Sequence, residues 1–262
     1  MELAGKRVLL TGATGGLGEA AAHELARQGA VLLLSGRDRQ RLDDLAAQLA
    51  GAGHEALAAD LAEQGAAESL VERAGRVDVL IANAGLPGGA ALIDLEGADV
   101  EDVVRVNLEA PIQMARCVIP QMRERGDGHL VFVASLTGKF ALPESSLYSS
   151  TKFGLRGFAW SLRPELARYG IGVSLITPGF IRDAGMFAKR GRRPPPGAGT
   201  RPPSDFAAAC VSAIVRNRDE VVVAPPQLRL LAQLALVAPG PVSRLLRRAR
   251  PDRSRSGASG PS

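Results

Sequence analysis

The sequence predicts a doubly wound α/β domain on a parallel sheet, and three observations carry that expectation. Short apolar runs alternate with helical patterns at a steady pace through the first 224 residues, as strands joined by crossover helices do. The first strand, 8–10, runs directly into a glycine turn and then a helix over 19–28. Gly12, Arg37, Asp60, Asn83 and Ser135 all fall at or just past the carboxyl end of a strand, where sheets of this kind bind ligands.

Taken in order, the turn Thr11-Gly12-Ala13-Thr14-Gly15-Gly16-Leu17-Gly18 comes first. Glycine allows close backbone approach, and the free N–H groups of a helix start face an anion, so the design suits a phosphate. Its spacing, G-x-x-x-G-x-G, differs from the G-x-G-x-x-G dinucleotide fingerprint. The second strand, 31–35, ends at Ser35-Gly36-Arg37, with Asp38 one place later. An acid at this place bonds a ribose 2′-hydroxyl, whereas an arginine takes a 2′-phosphate, so Arg37 favours NADP over NAD. Arg39 and Arg41 follow; Arg39 can help hold the 2′-phosphate, and both equally fit an exposed face of the helix 38–50. The third strand, 55–59, ends at Asp60-Leu61, and a helix follows over 63–74. The fourth strand, 77–82, ends in Asn83-Ala84-Gly85, and the helix 99–125 carries Asn107. The fifth and sixth strands, 129–134 and 172–177, flank a helix over 148–168. A helix over 204–217, with Ser204 as N-cap, leads to the seventh strand, 220–224.

The chemistry centres on Ser135 and on Tyr148 with Lys152. The i,i+4 spacing puts Tyr148 and Lys152 on one helix face, about one turn apart. An ammonium beside a phenol favours the phenolate, lowering the tyrosine pKa from about 10. Such a tyrosine can exchange a proton with a carbonyl or alcohol oxygen near neutral pH, and Ser135 can hydrogen-bond the same oxygen. Taken alone, Y-x-x-x-K also occurs on solvated helix faces; the strand-end residues around it raise it to a site.

Composition bounds the rest. The 262 residues are 46% hydrophobic and 23% charged, with a net charge of +5. The excess is local, in 189–201 and in the arginine-rich tail from Arg244; outside those segments 21 basic residues meet 26 acidic ones, which excludes a nucleic-acid-binding face on the body. Cys117 and Cys210 lack metal-ligand spacing and read as buried free thiols. No signal peptide fits the start and no apolar run approaches the roughly 20 residues of a bilayer span, so the expected location is cytoplasmic.

In combination, Thr11-Gly12-x-x-x-Gly16-x-Gly18, Asp60, Asn83-Ala84-Gly85, Asn107, Ser135-x-x-Gly138, Tyr148-x-x-x-Lys152 and Pro178-Gly179 resemble the short-chain dehydrogenase/reductase family over roughly 4–224. The resemblance implies a Rossmann-type fold with a seven-stranded sheet in the order 3-2-1-4-5-6-7, helices on both faces, and a homodimer or homotetramer. It implies Tyr148 as general acid/base, Lys152 as its activator and a ribose contact, Ser135 as orienter of the substrate oxygen, and Asn107 as holder of a water linking Lys152 to solvent. Asp60 and Leu61 would meet the adenine, Asn83, Ala84 and Gly85 the sheet and cofactor, and Pro178, Gly179 and Ile181 the nicotinamide end. The implied activity is NADP(H)-dependent interconversion of a ketone or aldehyde and an alcohol. A dinucleotide-binding regulator with little turnover, or a non-redox epimerisation, are the competing readings.

The chain departs from the family pattern at Asp183, where a threonine usually meets the nicotinamide amide, so that contact would fall to backbone near Ile181. Pro164 should kink the last turns of its helix. A flexible lid is expected over about 184–203, with Arg190, Arg192 and Arg193 either meeting an anionic substrate arm or simply solvated. Leu136, Phe140, Leu142, Leu147, Phe180, Met186 and Phe187 line an apolar cleft for a lipophilic or acyl substrate, or belong to the core. Beyond the catalytic domain, 1–224, an apolar and basic helical extension occupies 225–250 and a disordered tail 251–262. Its leucine helix, 227–237, would cap the cleft or a subunit contact, or with the arginines of 242–250 meet an anionic membrane.

Overall fold

The computed structural model describes residues 1–88, 90–185 and 197–248. Strands β1 (Arg7–Thr11), β2 (Val31–Gly36), β3 (Glu55–Ala58), β4 (Val79–Ala82), β5 (Gly128–Val133), β6 (Ile171–Pro178) and β7 (Glu220–Val223) form one seven-stranded parallel sheet. Its order is β3-β2-β1-β4-β5-β6-β7, as the family resemblance implies. The order reverses between β1 and β4, which opens a crevice at their carboxyl ends.

The strands read as nearly continuous apolar runs because both faces are covered. Side chains alternate across the sheet. Val8, Leu10, Leu32, Leu34 and Ile81 meet α1 (Gly16–Arg27), α2 (Arg39–Gln48) and α7 (Pro203–Val215) in one core. Leu9, Leu33, Leu80, Leu130 and Phe132 face the other core with α3 (Ala66–Ala74), α5 (Ala110–Arg125) and α6 (Ser146–Ala167). Each fully buried leucine contributes about 1.5–3 kcal/mol, so this double core fixes the strand ends that build the site.

Several boundaries differ from the sequence expectation, each for a local reason. Helix α3 starts at Ala66 rather than 63, because Gly65 takes φ +77° and breaks the helical path. The helix expected over 99–125 is α4 (Gly97–Val104), a π turn (Arg105–Glu109) and α5. Ser204 is not an N-cap: α7 begins at Pro203, and no side chain caps it. Pro164 lies inside α6, which ends at Ala167, one turn beyond the N–H that proline cannot offer. Cys210 is buried, but Cys117 is only half-buried; both are free thiols.

The extension forms two helices, α8 (Pro226–Val237) and α9 (Pro239–Arg248). The second starts three residues earlier than the Pro239-Gly240-Pro241 sequence suggests, since proline is tolerated in a first turn. Among the described residues no helix is long and apolar enough to cross a membrane. Met186, Phe187, Arg190, Arg192, Arg193 and the tail 251–262 lie outside the described residues.

Candidate active site

The crevice between β1 and β4 is pinned by polar side chains. The Thr11 hydroxyl accepts from the N–H groups of Asn83 and Ala84 at 3.1 and 3.0 Å. The Asn83 amide donates back to the carbonyls of Thr11 and Gly12 at 2.9 and 3.2 Å. Gly85 continues that strand end. The turn between β1 and α1 is so tight that a Cβ on Gly18 would stand 2.1 Å from the Gly12 carbonyl. Helix α1 has Gly15 as its N-cap, with no side chain to accept from the first N–H groups. Those donors, with Thr14, Gly16 and Leu17 around them, suit a phosphate.

At the β2 end, Arg37 is exposed. Asp38 caps α2, its carboxylate accepting from the Arg41 N–H at 3.1 Å. The Arg41 guanidinium reaches the Thr14 carbonyl at 2.9 Å, while Arg39 is drawn to Asp43 at 2.8 Å. Arg41 rather than Arg39 therefore joins Arg37 beside the glycine turn. Beyond β3, Asp60 accepts from the Ala62 N–H at 3.0 Å, and Leu61 is buried in the core.

The residues of the second half converge on α6. Lys152 is 3% exposed, and its ammonium donates to the Val133 carbonyl at 3.0 Å, two residues before Ser135. It stands 5.6 Å from the centre of the Tyr148 ring. Burial alone pulls its pKa down to about 8. The Ser135 hydroxyl accepts from the Thr137 N–H at 3.2 Å, which shapes the tight turn after β5 (Leu136–Gly138). That turn lies against α6: a Cβ on Gly138 would come within 2.7 Å of the Lys152 carbonyl. Asn107 is fully buried in the π turn. Its side chain accepts from the Leu86 N–H at 2.7 Å, donates to the Leu86 carbonyl at 2.9 Å and reaches the Thr151 hydroxyl at 3.4 Å. It thereby ties the loop after β4 to α6.

The segment after β6 closes the site. Gly179 donates to the Val223 carbonyl at 3.0 Å beside buried Pro178. Ile181 pairs with Arg201 in a short parallel bridge, with Arg201 N–H to Phe180 carbonyl at 2.9 Å and Arg182 N–H to Arg201 carbonyl at 3.0 Å. Asp183 is exposed in a left-handed conformation, φ +61°. Ala184 then packs on the glycine turn, a Cβ on Gly16 lying 2.9 Å from its own.

Sequence reasoning did not single out Thr151, or the pair Lys139 and Glu220. Lys139 is 2% exposed, and its ammonium meets the Glu220 carboxylate at 2.8 Å; Thr177 donates to the other carboxylate oxygen at 2.6 Å. This fastens the Ser135 turn to β6 and β7. A lysine one place past Gly138 was visible, but its partner is 81 residues away.

Comparison with known proteins agrees with this geometry. The family model described as short chain dehydrogenase matches residues 6–194. A Nostoc sp. (strain PCC 7120) protein named ketoacyl reductase HetN is 32% identical over 256 residues, covering 94% of this chain and 89% of its own. A Bos taurus protein named dehydrogenase/reductase SDR family member 7B is 32% identical over 266 residues, covering 94% and 82%. A short-chain dehydrogenase from Sphingobium yanoikuyae, solved in complex with NADPH, superposes with a TM-score of 0.79 at 25% identity, covering 97% of this chain and 99% of that one. A metagenomic short-chain oxidoreductase in complex with NADP gives a TM-score of 0.71 at 30% identity, covering 86% and 99%. The chain belongs to the short-chain dehydrogenase family. It is an oxidoreductase of the class that acts on CH–OH and C=O groups with a nicotinamide dinucleotide.

Proposed function

We propose that the protein interconverts a lipophilic ketone or aldehyde with its alcohol using NADP(H), with Tyr148 as the general acid/base. The observation that carries this reading is Lys152: a buried lysine, bonded to a backbone carbonyl, with no carboxylate within ion-pair distance among the described residues. A cation kept without a counter-ion costs stability and is available to a neighbouring phenol. In reduction Tyr148 gives its proton to the substrate oxygen, the Lys152 charge favours the phenolate that remains, and Ser135 orients the oxygen. Asn107, at the π turn, holds a water on the path that returns the proton.

When bound, the dinucleotide supplies the hydride. The uncapped start of α1 fits its pyrophosphate, with Gly12, Thr14, Gly15, Gly16, Leu17 and Gly18 as the cradle. Asp60, Leu61, Asn83, Ala84 and Gly85 would flank the adenine side; Tyr148, Lys152, Pro178, Gly179 and Ile181 would flank the nicotinamide. Two features support NADP. Exposed Arg37 directly follows β2 and the Arg41 guanidinium reaches the glycine turn, and the Asp38 carboxylate is engaged in capping α2 instead of standing ready for a ribose hydroxyl.

An apolar wall beside the Ser135 turn supports a lipophilic or acyl substrate: Leu136, Phe140 and Phe180 cluster with Ala224 and Leu228. Exposed Phe153 and Trp160 on α6 support a homodimer or homotetramer, and two free cysteines support a reducing, cytoplasmic setting.

The test is NADPH consumption against ketones, aldehydes and β-ketoacyl thioesters, with NADH and Tyr148→Phe in parallel. The expected result is NADPH-selective turnover that falls about 10²–10⁴-fold in Tyr148→Phe. Turnover that survives Tyr148→Phe overturns the assigned role. Tight NADPH binding without turnover on any of these substrates would favour a regulator.

A further inference from the structure

Helix α8 is apolar on two opposite sides. With about 3.6 residues per turn, positions 228, 232 and 235 share one arc, and positions 230, 234 and 237 share the arc across from it. Leu228, Ala232 and Ala235 are buried; Leu228 and Ala232 cluster with Leu136 and Ala224 next to the Ser135 turn. The cleft-cap reading of this helix rests on that cluster. The opposite arc holds Leu230, Leu234 and Val237, exposed at 62%, 47% and 81%. A helix that packs on a protein and faces water should turn polar residues outward. Three aliphatic side chains at i, i+4 and i+7 form a stripe, unlike the single leucines scattered on any surface.

The charge around the stripe selects what can cover it. No acidic residue occurs between Glu220 and Asp252, whereas Arg229, Arg244, Arg247, Arg248 and Arg250 do. Arg229 and Arg244 are exposed, and α9, which carries Arg244, Arg247 and Arg248 in its sequence, packs against α8. A second copy would bring the same arginines against themselves in a two-fold contact. A second apolar projection leaves the same edge of the sheet: after β4, the tight turn Leu92–Asp94 exposes Leu92 and, at 91%, Ile93. Loops after β4 and β7 both emerge at the carboxyl edge, where Tyr148 lies.

We propose that this edge docks on an anionic phospholipid surface, with Leu230, Leu234 and Val237 at the headgroup–acyl boundary, Arg229 and Arg244 on the headgroups, and the remaining basic sequence of α9 adding to the attraction. Lipid on the outer arc of α8 and the active-site wall on its inner arc are then separated by one helix. The cleft faces the bilayer and takes carbonyl compounds dissolved in it. Docking itself is independent of the reductase reading and is measured without turnover.

The test is co-sedimentation of the full chain with phosphatidylcholine vesicles, with and without phosphatidylserine. Wild type should pellet with the phosphatidylserine vesicles alone and be released by high salt. The variant L230Q/L234Q/V237Q should bind more than about tenfold more weakly with an unchanged circular dichroism spectrum and melting temperature. Each arginine removed in R244Q/R247Q/R248Q should weaken binding about fivefold. No pelleting, equal pelleting on neutral vesicles, or wild-type binding by the triple glutamine variant overturns the proposal. So does a loss of oligomer in that variant by sedimentation velocity, which would show that a second copy covers the stripe.

Discussion

Two lysines are buried in the same wall of the cleft, and the protein satisfies them in opposite ways. Lys139, one residue past the Ser135 turn, has a carboxylate at 2.8 Å, and that carboxylate is itself held by Thr177. Lys152, on the helix beside it, donates to the Val133 carbonyl at 3.0 Å and has no carboxylate within ion-pair distance among the described residues. Both charges have left water, so both carry a desolvation cost. At Lys139 the cost is offset by an ion pair that joins three parts of the chain. At Lys152 it is left standing, and the pKa falls to about 8 for that reason. A carboxylate beside Lys152 would cancel the field that a neighbouring phenol needs. On the role proposed for Lys152, the difference separates a charge used to build from a charge used to react.

The largest effect that could break this comparison is on the paired lysine. Glu220→Ala leaves Lys139 buried without a counter-ion and should destabilise the fold by about 3–5 kcal/mol in urea denaturation. An unchanged midpoint would mean that the pair holds nothing. Lys152→Met should do the reverse: turnover is lost, yet the fold gains up to about 3 kcal/mol, since a pKa lowered from 10.5 to about 8 corresponds to about 1.4 kcal/mol per unit. A destabilised, inactive Lys152→Met would place Lys152 with Lys139 as a structural charge.

The pH dependence sharpens the same point. Above pH 10.5 Lys152 is neutral in both folded and unfolded chains. As the pH falls from there to about 8, the unfolded chain takes up a proton that the folded chain refuses, so stability decreases, and it levels off below 8. His129, buried near the amino end of β5 and bonded to Ser174 at 2.8 Å, supplies a control. Burial, helped by the Arg163 charge, lowers its pKa from 6.5 to about 4. Stability should therefore fall again between pH 6.5 and 4. Denaturation at a series of pH values should show both windows in wild type and only the lower one in Lys152→Met. The smallest effect is at Thr177→Val, which removes one hydrogen bond to Glu220 and should cost about 1–2 kcal/mol with the ion pair intact. A cost near that of Glu220→Ala would make Thr177 an equal member of the pair.

What could be read from the sequence follows from the range of the forces involved. Strands such as Val8–Leu10 and the glycine turn after them are local patterns, and the sheet order followed once the strand-end motifs were in place. Ser135, Tyr148 and Lys152 lie on adjoining elements within one stretch of chain, so their spacing, read with the strand-end residues around it, brought them together. Lys139 and Glu220 meet across the sheet, and nothing in a charged residue announces a distant partner. The π turn at Asn107 lies among buried positions Val103, Val106, Ala110 and Met114 that keep ordinary i+3 and i+4 spacing, so it leaves no trace in the apolar pattern. The start of α3 was misplaced because Gly65 reads as a tolerable helix residue until its positive φ is known. Arg41 looked like a solvated face because its partner is a backbone carbonyl, Thr14, which has no sequence signature at all.

The bridge between Ile181 and Arg201 has a consequence for how the family diversifies. It fixes the two ends of an excursion side by side on the sheet edge. For a flexible excursion, the entropy of closing such a loop rises only logarithmically with its length, by about 0.6 kcal/mol for each doubling. By that rule a flexible insert joined at this stem would add little thermodynamic penalty, with the seven strands and the tyrosine–lysine pair untouched. A segment grafted from a relative at this stem would test whether the stretch between Ile181 and Arg201 selects the substrate.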